Sequence, residues 1–188
     1  MPICDSGCYE PLPKPYSNAC GVDPLPGGIN RLAFLTCDTE FIDITDNVEW
    51  NTLIASGDAV LSGELLGSKP KGTFTKKRVS SCSPERVTGG EKSIVFQDYN
   101  RSETHGDCSI YTFWNTILAN PKAFRLVIFT CDGYAYGPID DFVIETDGII
   151  EDANTGSRYI DGMIGWNDKL MICPVETDLV FDQDSSVI

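Results

Sequence analysis

The chain has 188 residues and carries 28 acidic against 14 basic side chains, a formal charge of −14. With 41% hydrophobic and 22% charged residues it can bury one ordinary core, which excludes a disordered chain. No apolar run approaches the roughly 20 residues of a bilayer span, and the shortage of Lys and Arg excludes tight wrapping of duplex DNA.

The first unit, residues 1–30, reads as an extended arm. Pro2, Pro11, Pro13, Pro15, Pro24 and Pro26 recur there, and Gly27-Gly28 closes it. Proline fixes φ and removes a donor, so the segment should be irregular, of the kind that lies along a neighbour or covers an edge strand. The opening Met1-Pro2-Ile3-Cys4-Asp5 has neither a basic nor an apolar region, which predicts no signal peptide and synthesis in a cytoplasm. Cys4, Cys8, Cys20, Cys37, Cys82, Cys108, Cys131 and Cys173 contain no C-x-x-C pair. Scattered in this way, they read as small buried hydrophobes. A metal site drawn from Cys4, Cys8, Cys20 and Cys37, or disulfides formed in an oxidising medium, are the alternatives.

Residues 31–176 carry the pattern of a β-rich core. Arg31 to Cys37 reads as a buried strand. Asp46 is placed to cap a short helix with Glu49 as its reciprocal partner; Trp50, Leu53 and Ile54 then share a face and Gly57 stops the turn. Strands are predicted at Val60–Leu65, Thr73–Val79 and Ser93–Tyr99. Ser83-Pro84 and Gly89-Gly90 mark turns between the last two, giving a long basic hairpin over about residues 72–99. Residues 107–120 form the stronger helix, capped by Asp107 or Ser109, with Ile110, Tyr111, Trp114, Ile117 and Leu118 at the 3.6-residue period. Strands follow at Phe124–Cys131 with a Gly133 turn, at Asp141–Thr146 with an Asp147-Gly148 turn into Ile149-Ile150, at Tyr159–Trp166 and at Leu170–Cys173. Residues 177–188 form an acidic tail. Seven to nine strands with two helices predict a mainly β fold, a β-sandwich or partial barrel with one docked amphipathic helix and a second short one.

Charge divides along the same lines. Residues 1–68 have a net charge of −8, residues 69–131 of +5 and residues 132–188 of −11. A basic middle between acidic flanks suits pairing between copies of the chain, with Lys76, Lys77, Arg78, Arg86 and Lys92 as the subunit-interface residues. A merely solvated acidic surface is the plainer reading.

Catalytic templates fail one by one. His105 is the sole histidine, in a polar loop, which excludes multi-histidine metal sites; no G-x-S-x-G elbow exists. Gly89-Gly90-Glu91-Lys92-Ser93 lacks the upstream Gly and following helix of a phosphate loop. Asp140-Asp141 and Glu145 to Gly148 do not have calcium-loop spacing. No catalytic residue, cofactor or metal is expected.

Several of these features together resemble virion structural proteins of tailed bacteriophages, and tail tube subunits most of all. They are the arm ending in Gly27-Gly28-Ile29, the segment Ile44-Thr45-Asp46 to Gly57, the run Lys76-Lys77-Arg78-Val79 and the stretch Lys92 to Asn100. The resemblance implies a sandwich or partial barrel flanked by a helix, assembled into stacked rings. Inner strands then join into a continuous, often acidic lumen wall, past which DNA moves without lasting contact, and an arm or loop reaches the next ring. The implied partners are copies of the chain and other virion proteins, with no membrane, in a virion made in a bacterial cytoplasm. A capsid decoration or head–tail connecting protein, and a metal-stabilised Cys-rich binding module, are the alternatives.

Overall fold

A computed structural model of the protein describes residues 27–40, 43–78, 80–81, 85–99, 108–151, 157–168, 170–177 and 179. The arm before Gly27, Cys4, Cys8, Cys20, Cys82, Ser83-Pro84, His105, Asp107 and nearly all of the acidic tail lie outside them.

The chain is mainly β. Among the described residues ten strands form one open antiparallel sheet, and two α-helices pack on it. In chain order the elements are β1 (Ile29–Thr36), α1 (Asn47–Ser56), β2 (Ala59–Leu61), β3 (Leu66–Ser68), β4 (Thr73–Lys77), β5 (Arg86–Asp98), α2 (Ser109–Ala119), β6 (Phe124–Thr130), β7 (Tyr134–Ile139), β8 (Val143–Ile150), β9 (Arg158–Asn167) and β10 (Val175–Glu176). The sheet runs β10-β7-β6-β1-β3-β5-β9-β8, with β2 also on β1 and β4 also on β5.

Burial explains the two kinds of strand sequence. β1 and β6 are apolar almost throughout because both of their faces are covered. Leu32, Phe34, Leu126 and Ile128 point into a large core that also takes Ile94, Phe96, Ile144, Ile160 and Ile164, so the β5-β9-β8 half folds over the β1-β6-β7 half. Ala33, Leu35, Val127 and Phe129 point the other way, against Trp50 of α1. β9 instead alternates, with Ile160, Gly162, Ile164 and Trp166 turned into the core and the residues between them outward, while β8 buries only Ile144 and leaves most of its length in water.

The helices are held differently. Asp46 caps α1 by accepting from the Val48 amide at 2.8 Å, and Gly57 at φ 84° closes it. Glu49 does not complete a capping box; its carboxylate accepts from the Asp43 amide at 2.9 Å, bracing the lead-in loop. α2 buries Trp114 and Ile117, with Ile110 and Phe113 packed beside them. Tyr111 and Leu118, predicted on the buried stripe, are exposed. The sheet contacts a narrower face, so Phe113 takes the place expected for Tyr111. Trp114 stacks on Phe96 and donates from Nε1 to Asp98 at 2.9 Å.

Several predicted boundaries shift. Gly89-Gly90 and Asp147-Gly148 lie inside β5 and β8 rather than in turns. A Cβ at Gly90 would meet the Asp168 carbonyl oxygen at 2.6 Å and the Phe74 ring at 3.2 Å, so that glycine serves close approach. The predicted strand Val60–Leu65 breaks at Ser62, whose hydroxyl accepts from the buried Leu32 amide at 2.9 Å in place of a ladder carbonyl. Leu170–Cys173 is not a strand; Leu170 and Met171 face solvent. β7, absent from the sequence reading, pairs with β6 after the Gly133 turn, where φ is 81°. Cys37, Cys108, Cys131 and Cys173 are exposed free thiols, not core fillers. All four sit at or beyond the ends of elements, where nothing covers a side chain.

Candidate functional site

Both halves of the sheet contribute walls to a cavity of about 840 Å³, completed by the segment 171–174. That lies within the roughly 300–1,000 Å³ range of small-molecule pockets. The start of β1, β3 and the end of β6 supply backbone, Ile29, Ile128, Ser68 and Thr130; further polar groups come from Lys69 after β3, from β5, β7 and β9, and from the β6–β7 turn.

The β5–β9 register sets Lys92 directly opposite Trp166. Directly opposed residues of an antiparallel pair project from the same face. The inward row of β5 is Lys92, Ile94, Phe96 and Asp98, an apolar pair bounded by a charge at each end. Asp98 is satisfied by Trp114. Lys92 is not: it is 7% exposed, and its Nζ has no hydrogen-bond partner. The Asp168 carboxylate stands 3.8 Å away, in ion-pair range but beyond hydrogen-bond distance. The buried Trp166 Nε1–H also lacks an acceptor. Lys69 places its Nζ 6.0 Å from the centre of the Trp166 ring. Buried donors without partners are uncommon, and each is costly.

Tyr136 and Asp132 also belong to the wall. Burial raises the Tyr136 phenol above its ordinary value, and the charges of Asp132, Tyr134 and Cys173 push the same way. The wall thus sets buried donors without partners beside apolar surface.

The second candidate surface is the sheet margin. β4 and residues 86–90 of β5 form a two-stranded ribbon beyond the end of β9, and every residue of β4 is exposed. Lys76 and Lys77 lie on β4; Arg86 begins β5 opposite Lys77. Arg78 follows and pairs with Glu85 at 3.4 Å, both in water. Among the described residues β4 pairs with β5 alone, and β8 with β9 alone. The outer edge of β8 is acidic, with Glu145 and Asp147 exposed on it and Glu151 after it. Asp147 faces Asp161 across the ladder, and the solvent face formed by residues 93–99, 143–149 and 159–165 contains no Lys or Arg.

The structure thus brings Lys76, Lys77, Arg78 and Arg86 onto one ribbon and sends Lys92 into the cavity wall. Its place was readable from the alternation that turns Ile94 and Phe96 inward; counting it with the hairpin's charge hid that signal. Trp166 carries no sequence signal beyond its place at the end of a predicted strand. Asp140, considered for calcium, instead accepts from Arg125 Nε at 2.7 Å, and among the described residues no group of three His, Cys, Asp or Glu is placed to hold a metal. No described helix is long and apolar enough to cross a membrane. The chain matches no protein-family model, no curated protein and no solved structure.

Proposed function

We propose that the protein is a non-enzymatic structural subunit that joins copies of itself into a ring or tube, as tail tube subunits of bacteriophage virions do. The observation that carries this reading is that, among the described residues, two of the strands with an unpaired edge carry opposite charge, basic β4 and acidic β8. An unpaired edge is a template for another strand, and joining two different edges head to tail generates closed rings or filaments. Complementary charge fixes which edge meets which and opposes β4–β4 or β8–β8 contacts. The interface residues are Lys76, Lys77, Arg78 and Arg86 from one copy, against Glu145, Asp147 and Glu151 from the next.

The face of β5, β9 and β8 that lacks Lys and Arg gives such a ring an acidic wall. Opposed like charges such as Asp147 and Asp161 cost stability, so the site favours negative potential over strand pairing. DNA passing such a wall is repelled and does not stick. In this role the protein belongs to a virion, is made in a bacterial cytoplasm, and meets other virion proteins at the ends of the tube.

Negative-stain microscopy and sedimentation of the concentrated full chain test the proposal. Rings or tubes are expected, and Lys76→Glu, Lys77→Glu and Arg78→Glu together should leave monomers with an unchanged melting curve. Adding Glu145→Lys and Asp147→Lys to that variant should restore assembly. A wild type that stays monomeric, or a charge-reversed variant that assembles equally well, overturns it.

A further inference from the structure

We propose that the cavity between the half-sheets binds a small amphipathic carboxylate, its acid group at the Lys92–Trp166 end and its apolar body in the remaining space. Three observations converge on this chemistry. The first is unspent donor capacity. Lys92 Nζ and Trp166 Nε1 are both buried and both without an acceptor, and the register places their residues side by side. Their desolvation is already complete in the folded chain, so hydrogen bonds gained there displace no bulk water.

The second is charge. Asp168, the carboxylate nearest Lys92, spends its Oδ1 on the Leu170 amide at 2.8 Å and keeps Oδ2 at 3.8 Å from Nζ. Lys69, exposed and above the same indole, adds a second cation at this end. A singly charged group with two acceptor oxygens matches the two buried donors. A doubly charged phosphate would meet Asp168 and Asp132 with only these cations to balance it.

The third is the lining: Ile29, Ile128 and Ile172 offer apolar surface to a hydrocarbon body of drug-like size. Both donor atoms are buried, so binding requires side chains of this wall to shift outward, the exposed Lys69 above the indole among them. Nothing in this site depends on assembly, so its test and that of the ring are independent.

The test is titration of the full chain with dodecanoate and with dodecanol, both below their aggregation limits, followed by calorimetry and tryptophan fluorescence. Dodecanoate should bind once per chain and at least tenfold more tightly than the alcohol. Lys92→Met should abolish that preference while the melting curve persists, because an apolar replacement of a buried ammonium is often tolerated. Trp166→Phe should weaken the acid several-fold. The comparison of acid with alcohol on the wild type stands even where Lys92→Met does not fold. Absence of saturable binding, equal affinity for the two compounds, or a preference that survives in a folded Lys92→Met variant overturns the proposal.

Discussion

Gly162→Ala places a methyl group where the sheet has no room for one. Ile29, Gly67, Phe96, Gly162 and Thr146 form a single transverse row, so Phe96 has a glycine on each side. A Cβ at Gly162 would fall on the Phe96 ring, with Cε1 and Cε2 only 2.7 Å away, against the roughly 3.5–4.0 Å of ordinary carbon contact. The ring has nowhere to go. It is 1% exposed and stacks on Trp114 at 4.7 Å between centroids, while Trp114 is tied to Asp98. Overpacking of this kind costs about 1–3 kcal/mol. At about 2–4 °C per kcal/mol for a chain of this size, Tm should fall by roughly 2–12 °C. Chemical denaturation of Gly162→Ala, Phe96→Leu and the double variant isolates the contact. The double variant should be more stable than the summed single costs by about 1 kcal/mol or more. If the costs simply add within about 0.5 kcal/mol, the methyl does not meet the ring and the reasoning fails.

Ser62→Ala removes the hydroxyl that accepts from the buried Leu32 amide and should cost about 1–3 kcal/mol in denaturant unfolding; a loss below about 0.5 kcal/mol would show the amide had found another partner. Tyr136 should ionise later than an ordinary phenol, because burial and then Asp132, Tyr134 and Cys173 disfavour the phenolate. A raised folded value means its contribution to stability is complete below the unfolded value of 10.0 and is lost as pH rises through the folded one. Absorbance titration of Tyr136→Phe should therefore lose part of the late phenolate signal, the remainder coming from Tyr159, which burial and then Tyr99, Glu151 and Asp161 also raise. An unchanged late phase would refute this.

Local pattern was legible where one physical signal dominated. The apolar runs of β1 and β6, the Asp46 cap, the Gly57 stop and the Gly133 turn all appear where the sequence places them. What depended on contacts across the sheet was not. Gly89-Gly90 and Asp147-Gly148 look like turns by composition, yet at Gly90 the missing Cβ makes room for Phe74 and the chain at Asp168. β7 contains Gly137-Pro138, a pair that reads as a breaker, and only pairing with β6 makes a strand of it. Glu49 reaches back to Asp43 because the loop folds under the helix, which helix periodicity does not encode. The cavity was the least legible feature, since Lys92 and Trp166 are 74 positions apart and meet only through the β5–β9 register.

β5 has one further consequence, and it is mechanical. Thirteen residues at about 3.3 Å each make a strand of at most roughly 43 Å, from the exposed ribbon, where its pairing with β4 shifts register at Thr88, to the centre of the fold. A pull on the ribbon along this strand loads the eight residue pairs of β5 and β9 side by side, in shear, instead of peeling them one at a time. Force entering at Lys76 and Lys77 is thus shared across eight residue pairs and delivered beside the buried Phe96. A chain built this way transmits tension through its backbone and yields last at its core.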